Sequence, residues 1–369
     1  MGSSDGLGGA GTRVSLEARL SVDLDAIAAN WRALDALSAD TVETAAVVKA
    51  DAYGLGAAEV APALAKAGAK TFFVALPREG VHLREILGPA PVIYILGGYR
   101  AEDRAHFEAA TLRPVINSLA QGRAWFEGGP AGPAALQLDT GMNRLGLERA
   151  ELAEVTPLPE GVCLIMSHLA CADEPTHAMN AAQRAAFENM TGEGEGFGRP
   201  RSLSATGGTL LGEGMHFDMV RPGIGLFGGL PFRDARPVVS LEAPIIQIRS
   251  VAPGEVVGYG ATWRARRPAR IATVSTGYAD GLLRAAGGGQ NGGGHAMLAG
   301  RRLPYAGRVS MDLITLDVTH CPEAEEGAMV TLIGEGAPLD TIAAAAGTIG
   351  YEMLTSLGPR YARSYLGSQ

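Results

Sequence analysis

The chain has only three cysteines among its 369 residues: Cys163, Cys171 and Cys321. They show no spacing typical of a metal site and cannot all pair, which argues against a disulfide-stabilised secreted protein. The net charge is −8 without any block of basic residues, which argues against a nucleic-acid or anionic-membrane surface. We find no secretory leader and no apolar run long enough to cross a bilayer. We therefore expect a cytoplasmic protein with no metal site.

The composition is that of a folded protein. Hydrophobic residues make up 47% and charged residues 19% of the chain, and the length allows two domains. The first dozen residues are rich in Gly and Ser, so residues 1–12 are predicted to form a disordered tail.

Strand-like and helix-like segments alternate from about residue 20 to about residue 230, and we assign residues 13–236 to one predicted domain. Eight short apolar runs are predicted as core strands: Ala45–Lys49, Phe72–Ala75, Pro91–Leu96, Arg113–Asn117, Ala134–Leu138, Val162–Ser167, Ser202–Ala205 and Asp218–Arg221. Eight β/α units favour an α/β fold of the TIM (β/α)8 barrel type, with a doubly wound sheet as the alternative.

The pattern changes over residues 237–369. Short β-branched runs separated by Gly- and Pro-rich turns predict a mostly antiparallel β domain. The first strand of the chain could also join this domain.

Lys49 ends the first predicted strand, where an apolar interior meets a loop. Such a lysine loses its proton more easily than a solvated one, which suits Schiff-base chemistry with a carbonyl cofactor. The alternative is a lysine that simply ends a strand and reaches into water.

Polar residues also follow the later strands and would converge on one mouth of a barrel. Glycine-rich turns around Gly207 and Gly223 could cradle a phosphate, with the Ser204 hydroxyl as a further donor. Arg144 and Arg221 could bind a carboxylate, a phenolate or a ring nitrogen, and His168 could stack on an aromatic ring. Together these groups describe a pyridoxal phosphate pocket.

The order of motifs resembles that of the alanine racemases, which are fold-type III pyridoxal phosphate enzymes. The resemblance covers nearly the whole chain after the tail. It is carried by 48–56 (VKADAYGLG), 139–146 (DTGMNRLG), 167–174, 221–228, 259–262 (YGAT), 277–281 (GYADG), 307–312 (GRVSMD) and Tyr351-Glu352.

The resemblance implies interconversion of L- and D-alanine, either for peptidoglycan synthesis or in alanine catabolism. Lys49 would bind the cofactor covalently and act as the base on the D-face. Tyr259, from the partner subunit of a homodimer, would be the opposite base. Residues implied around the cofactor are Tyr53, Arg144, His168, Ser204, Arg221, Gly223, Ile224 and Tyr351.

The resemblance also implies that Arg144 contacts the substrate, together with Met311 of the second subunit, and that Tyr278 lines the entrance. Arg221 would face the pyridine nitrogen and His168 would stack against the ring. A racemase needs two bases on opposite faces of one planar intermediate. An arginine opposite the ring nitrogen keeps that nitrogen unprotonated, because a second cation would be repelled.

The chain departs from the family pattern at two positions. Gln137 replaces a lysine that many relatives carbamylate to hold the arginine, so we predict no carbamate beside Arg144. Ser310 stands at a position where relatives often have a cysteine.

Three alternative functions are a non-catalytic cofactor carrier, a broad-specificity amino-acid racemase and a fold-type III decarboxylase. The decarboxylase would need a cysteine as proton donor, and the second domain offers only Cys321.

Overall fold

The computed structural model describes residues 17–128, 132–192, 196–288 and 293–367. The predicted tail, residues 1–12, lies outside the described residues. The first ten strands are β1 (Arg19–Asp23), β2 (Glu43–Thr44), β3 (Ala46–Val47), β4 (Thr71–Val74), β5 (Val92–Ile95), β6 (Arg113–Ile116), β7 (Ala134–Gln137), β8 (Val162–Met166), β9 (Arg201–Ser202) and β10 (Met219–Val220).

Helices separate most of these strands. They are α1 (Leu24–Asp35), α2 (Ala57–Ala67), α3 (Pro77–Leu87), α4 (Arg104–Ala110), α5 (Leu119–Phe126), α6 (Arg149–Glu154), α7 (Ala178–Thr191) and α8 (Thr206–Leu210). Asp23 caps α1, since its carboxylate accepts a hydrogen bond from the Ala26 N–H at 2.8 Å. The apolar side of α1, with Ile27, Trp31 and Leu34, is buried.

The predicted barrel is confirmed. Strands β3 to β9 form one parallel sheet in chain order. Strand β10 pairs in parallel with β2, which directly precedes β3. The Arg221 N–H then donates to the Ser204 carbonyl at 2.8 Å and joins the end of β10 to the end of β9. These contacts close the ring of strands.

The first barrel strand is shorter than predicted. It ends at Val47, so Lys49 lies beyond the strand, in a turn that spans Lys49–Gly54. The apolar run continues to Val48, whose N–H still donates to the Phe73 carbonyl at 2.9 Å. The apolar run therefore predicts which residues are buried and not where the strand ends. The strand ends at Val47, and Val48 is the last buried residue before Lys49.

The remaining strands are β11 (Val239–Val251), β12 (Val256–Val257), β13 (Trp263–Arg264), β14 (Ala269–Val274), β15 (His295–Leu298), β16 (Arg301–Pro304), β17 (Ile314–Asp317), β18 (Met329–Ile333) and β19 (Ala362–Leu366). Two helices, α9 (Leu339–Ala345) and α10 (Gly350–Ser356), precede β19. The short 3₁₀ segments are Ala101–Asp103, Gly196–Gly198, Glu213–Met215, Ile224–Phe227, Tyr259–Ala261, Tyr278–Asp280 and Arg284–Ala286.

The second part of the chain is β-rich and mostly antiparallel, as predicted. The long strand β11 pairs with β18 through its first half and with β14 through its second half. Strand β1 pairs antiparallel with β11 and parallel with β19. The sheet of the β-rich part therefore contains both the first and the last described strands.

Two negative findings hold for the described ranges. None of their helices is both long and apolar enough to cross a membrane. They also contain no cluster of three or more His, Cys, Asp or Glu side chains that could hold a metal ion.

Candidate active site

A cavity of about 580 Å³ opens at the carboxyl ends of the barrel strands. Residues that directly follow the strands line it, as expected for this architecture. It brings together eight of the residues singled out in the sequence: Lys49, Tyr53, Arg144, His168, Arg221, Gly223, Ile224 and Tyr351.

Lys49 begins a turn of unusual backbone conformation. Ala50, Asp51, Ala52 and Tyr53 all have φ between 52° and 58° with ψ between 34° and 52°. This is a left-handed helical turn made of four consecutive residues that are not glycine. Each such residue costs about 1–2 kcal/mol relative to the right-handed form, so the surroundings must hold the turn in place.

The C-terminal strand supplies part of that support. The Arg363 guanidinium donates to the Gly54 carbonyl at 2.8 Å, and the Tyr365 hydroxyl donates to the Leu55 carbonyl at 3.0 Å. Within the turn, the Asp51 carboxylate accepts a hydrogen bond from the N–H of Ala57, the first residue of α2, at 2.7 Å. This bond joins the turn to the start of the helix.

The environment of Lys49 favours its neutral amine. Burial lowers the pKa of Lys49, and the Arg144 guanidinium lowers it further, against an opposing effect of the Glu79 carboxylate. A neutral amine can attack a carbonyl carbon and can accept a proton, and a protonated amine can do neither.

One end of the cavity is built to receive an anion. A Cβ atom at Gly223 would lie 2.2 Å from the Tyr53 hydroxyl oxygen, so any residue larger than glycine would displace that hydroxyl. The Thr206 hydroxyl oxygen accepts from the N–H groups of Gly223 and Gly225 at 3.1 and 3.2 Å, which leaves its proton for a bond into the cavity. Close backbone approach combined with hydroxyl donors is typical of a phosphate site.

Tyr53 and Tyr351 complete this end, with ring centroids 6.0 Å apart. Burial and the neighbouring Tyr351 raise the pKa of Tyr53. Burial, and then the Asp173 and Asp340 carboxylates, raise the pKa of Tyr351 to about 12. Both hydroxyls therefore keep their protons at neutral pH and can donate to an anion.

Arg221 is a cation buried at the base of the cavity. Its guanidinium donates to the Ser202 hydroxyl and, at 2.7 Å, to the Ser167 carbonyl. Burial lowers the pKa of Arg221 to about 9. Both partners are neutral, and a guanidinium has N–H donors but no acceptor. Arg221 can therefore donate to a ring nitrogen only when that nitrogen carries no proton.

His168 follows strand β8 and is held in a neutral state. Burial, and then the charges of Arg221, Arg144 and Lys49, lower the pKa of His168 to about 3. Its backbone carbonyl accepts from the Gln183 amide at 2.9 Å, which fixes the residue beside the cavity. A neutral imidazole can stack on an aromatic ring without adding charge.

Arg144 projects from a loop that follows β7. One carboxylate oxygen of Asp139 accepts from the N–H groups of Gly141, Met142 and Asn143 at 2.8, 3.0 and 3.2 Å. Gln137 is buried and lines the same cavity as Arg144. An amide in this position can orient a guanidinium by hydrogen bonding but adds no negative charge.

Four residues from the predicted site lie outside the cavity lining. Ser204 is buried, and its hydroxyl donates to the Met215 carbonyl at 2.7 Å, away from the anion site. The prediction that Ser204 donates into the cavity is therefore wrong, because the Met215 carbonyl accepts its hydroxyl proton. Thr206 lines the cavity instead. Its position directly before the Gly207-Gly208 pair, which was predicted as a turn and forms part of α8, is the signal that could have identified it.

The other three lie on the β-rich part. Tyr259, Tyr278 and Met311 have exposed fractions of 69%, 40% and 54%. The Tyr278 N–H donates to the Ser310 carbonyl at 3.0 Å and the Ala279 N–H donates to the Met311 carbonyl at 2.9 Å, so Tyr278 and Met311 belong to one surface.

Comparison with known proteins gives a consistent result. The family "Alanine racemase, N-terminal domain" matches residues 22–231, and "Alanine racemase, C-terminal domain" matches residues 238–365. The chain is 56% identical over 354 residues to an alanine racemase of Dinoroseobacter shibae, covering 95% of this chain and 98% of that protein.

Solved structures are similar over the same extent. A crystal structure of alanine racemase from Bartonella henselae with covalently bound pyridoxal phosphate matches with a TM-score of 0.87 and 37% identity, covering 95% of this chain and 99% of that chain. A biosynthetic alanine racemase from Pseudomonas aeruginosa matches with a TM-score of 0.86 and 39% identity, with the same coverage.

Proposed function

The chain belongs to the alanine racemase family, and from this premise we propose a role for each part of its site. It is a pyridoxal phosphate-dependent enzyme that interconverts L-alanine and D-alanine. When bound, pyridoxal phosphate supplies a ring that absorbs negative charge from the α-carbon of the substrate.

The residues of the cavity fit this cofactor. Tyr53, Tyr351 and Thr206 would donate to its phosphate, and Gly223 with Ile224 would let the backbone approach closely. Arg221 would donate to the ring nitrogen and keep it unprotonated, while His168 would stack on the ring. Arg144 would bind the phenolate oxygen of the cofactor and the carboxylate of the substrate.

Lys49 would hold the cofactor through its ε-amine and, once released by the substrate, exchange a proton with the α-carbon on the D-face. The second base must lie on the opposite face of the same carbon, since return of the proton on the same face would restore the original enantiomer. We assign this base to Tyr259.

The single observation that carries the assignment is the contrast between Lys49 and Tyr259. Lys49 lies in the cavity, where burial lowers the pKa of its amine. Tyr259, in contrast, is 69% exposed on the β-rich part of its own chain. A second copy of the chain would bring Tyr259 to the cavity, with Met311 beside the substrate and Tyr278 at the entrance. We therefore propose a homodimer with shared sites.

We propose that the enzyme acts in the cytoplasm and supplies D-alanine for peptidoglycan, which the similarity to a biosynthetic relative supports; alanine catabolism is the alternative. A decarboxylase is not favoured, because Cys321 is buried and its thiol donates to the Glu323 carboxylate at 3.5 Å.

The test is racemisation by Lys49→Ala and Tyr259→Phe in deuterated buffer, with each enantiomer supplied separately. Each variant should lose racemisation in both directions, since inversion needs both bases. Lys49→Ala should also lose covalent binding of the cofactor, while Tyr259→Phe should keep it. Racemisation by Tyr259→Phe at the wild-type rate would remove Tyr259 from the mechanism.

A further inference from the structure

The Glu79 carboxylate has three backbone partners at the mouth of the barrel. One oxygen accepts from the Ala50 N–H at 2.7 Å. The other accepts from the N–H groups of Ala75 and Leu76 at 2.7 and 2.9 Å. Glu79 thus links the end of β4 to the peptide that directly follows Lys49.

This link acts on a backbone that needs external support. Ala50 is the first residue of the left-handed turn, with φ 54° and ψ 48°. The C-terminal strand contacts the far end of the turn, at Gly54 and Leu55. Glu79 holds the near end, one peptide bond from Lys49, so it acts most directly on the orientation of the lysine.

We propose that Glu79 is the positioning residue of Lys49, fastening the left-handed turn to strand β4 so that the ε-amine is presented at one place in the cavity. The proposal rests on the proposed function, in which that amine binds the cofactor and moves the D-face proton.

The chemistry of the contacts requires a carboxylate. All three groups that face Glu79 are N–H donors, and a carboxylate offers acceptors on both oxygens. A glutamine would turn its NH₂ group toward at least one of these donors and leave it unpaired. An aspartate keeps the charge but is one methylene shorter, so it cannot reach both Ala50 and the end of β4.

The charge has a second effect. Glu79 is the acidic group that opposes Arg144 in setting the protonation of Lys49, since it raises the pKa of the lysine while burial and Arg144 lower it. Glu79 therefore acts on both the place and the protonation of the amine.

The experiment compares the holoenzyme with Glu79→Gln, Glu79→Asp and the matched control Glu85→Gln. Glu85 lies on the same helix α3 with its side chain 71% exposed. Three quantities are measured: kcat with each enantiomer, the primary isotope effects with α-deuterated D- and L-alanine, and the dissociation constant of pyridoxal phosphate.

We expect kcat to fall about tenfold to a hundredfold in Glu79→Gln, as for a displaced catalytic group, and the cofactor dissociation constant to rise about tenfold. The isotope effect should rise for α-deuterated D-alanine and fall for α-deuterated L-alanine, because the D-face transfer becomes the slower step. In Glu79→Asp, kcat, the cofactor dissociation constant and both isotope effects should change in the same directions. If Glu79→Gln does not fold, the isotope effects of Glu79→Asp test the role of Glu79. Glu85→Gln should match the wild type.

Borohydride reduction of the wild-type holoenzyme separates the two hypotheses. Cofactor trapped on a residue other than Lys49 would contradict the proposed function itself. Cofactor trapped on Lys49, combined with unchanged isotope effects in the folded Glu79 variants, would overturn the role of Glu79 alone, since a merely structural residue lowers the amount of folded enzyme without altering these ratios.

Discussion

Lys49, Arg144 and Arg221 place three basic groups in one cavity, and burial lowers the pKa of Lys49 and of Arg221. The pKa of Lys49 is lowered, and that of His168 is lowered to about 3, so His168 adds no charge at neutral pH. A cavity of this kind attracts an anionic cofactor and an anionic carboxylate while it keeps one amine available as a base.

The pKa of His168 has a consequence for stability. A histidine whose pKa is about 3 when folded and about 6.5 when unfolded takes up a proton on unfolding between these values. Stability is then fully present above pH 6.5 and is lost as the pH falls toward 3, at up to about 1.4 kcal/mol per pH unit.

We predict that His168→Phe removes this contribution. Urea unfolding of the cofactor-free protein between pH 5 and 8 should show wild-type stability falling more steeply below pH 6.5 than that of the variant. Parallel curves would show that His168 titrates normally in the folded protein.

At the residue scale, the chemical types were predictable and one exact position was not. The lysine, both arginines and the glycine of the anion site follow strand ends, where the barrel architecture places functional side chains. Ser204 and Thr206 each carry a hydroxyl, and only their distant partners distinguish them: the Met215 carbonyl binds Ser204, whereas Thr206 contacts Gly223 and lines the cavity. Gln137 shows the opposite case, since its identity alone predicts that no carbamate lies beside Arg144.

At the scale of elements, the left-handed turn Lys49–Gly54 is the least expected segment. Ala50 and Ala52 carry no signal for this conformation, which glycine adopts far more readily. The turn exists because contacts from Glu79 and from the distant Arg363 and Tyr365 determine it, and such contacts are not visible in a local sequence pattern.

We predict that Ala50→Gly leaves the free energy of unfolding unchanged or raises it by about 1 kcal/mol, because glycine relieves the left-handed strain at an exposed site at the cost of a more flexible unfolded chain. The control Ala185→Gly, at an exposed site within the right-handed helix α7, should lower it by about 1 kcal/mol. Denaturant unfolding of both variants measures the contrast. Equal losses at the two sites would mean that Ala50 carries no strain.

The other elements followed from periodicity more closely. The barrel strands lie where apolar runs predicted them, shortened by one to three residues at most ends, because burial extends beyond the paired part of a strand. The pairing of β1 with β11 and β19 depends on residues more than two hundred positions apart and has no local signature.

At the scale of the whole molecule, we propose a barrel domain of residues 13–236 and a β domain of residues 237–369, with the first strand joined to the latter. The pairing of β1 with β11 supports this division. Arg363 and Tyr365 of the β domain then donate hydrogen bonds to the carbonyls of Gly54 and Leu55, at the end of the turn that begins with Lys49. Both domains therefore contribute to one site within a single chain.

The central claim is that Lys49 of one copy and Tyr259 of another act on one α-carbon. It predicts that mixing the Lys49→Ala and Tyr259→Phe variants restores racemase activity, because a dimer with one chain of each contains one site with both native bases. Each variant should be inactive alone, and an equimolar mixture refolded or co-expressed together should reach about a quarter of the wild-type activity, since about half of the dimers are mixed and each has one intact site. A mixture that forms mixed dimers and still fails to racemise alanine would contradict the claim.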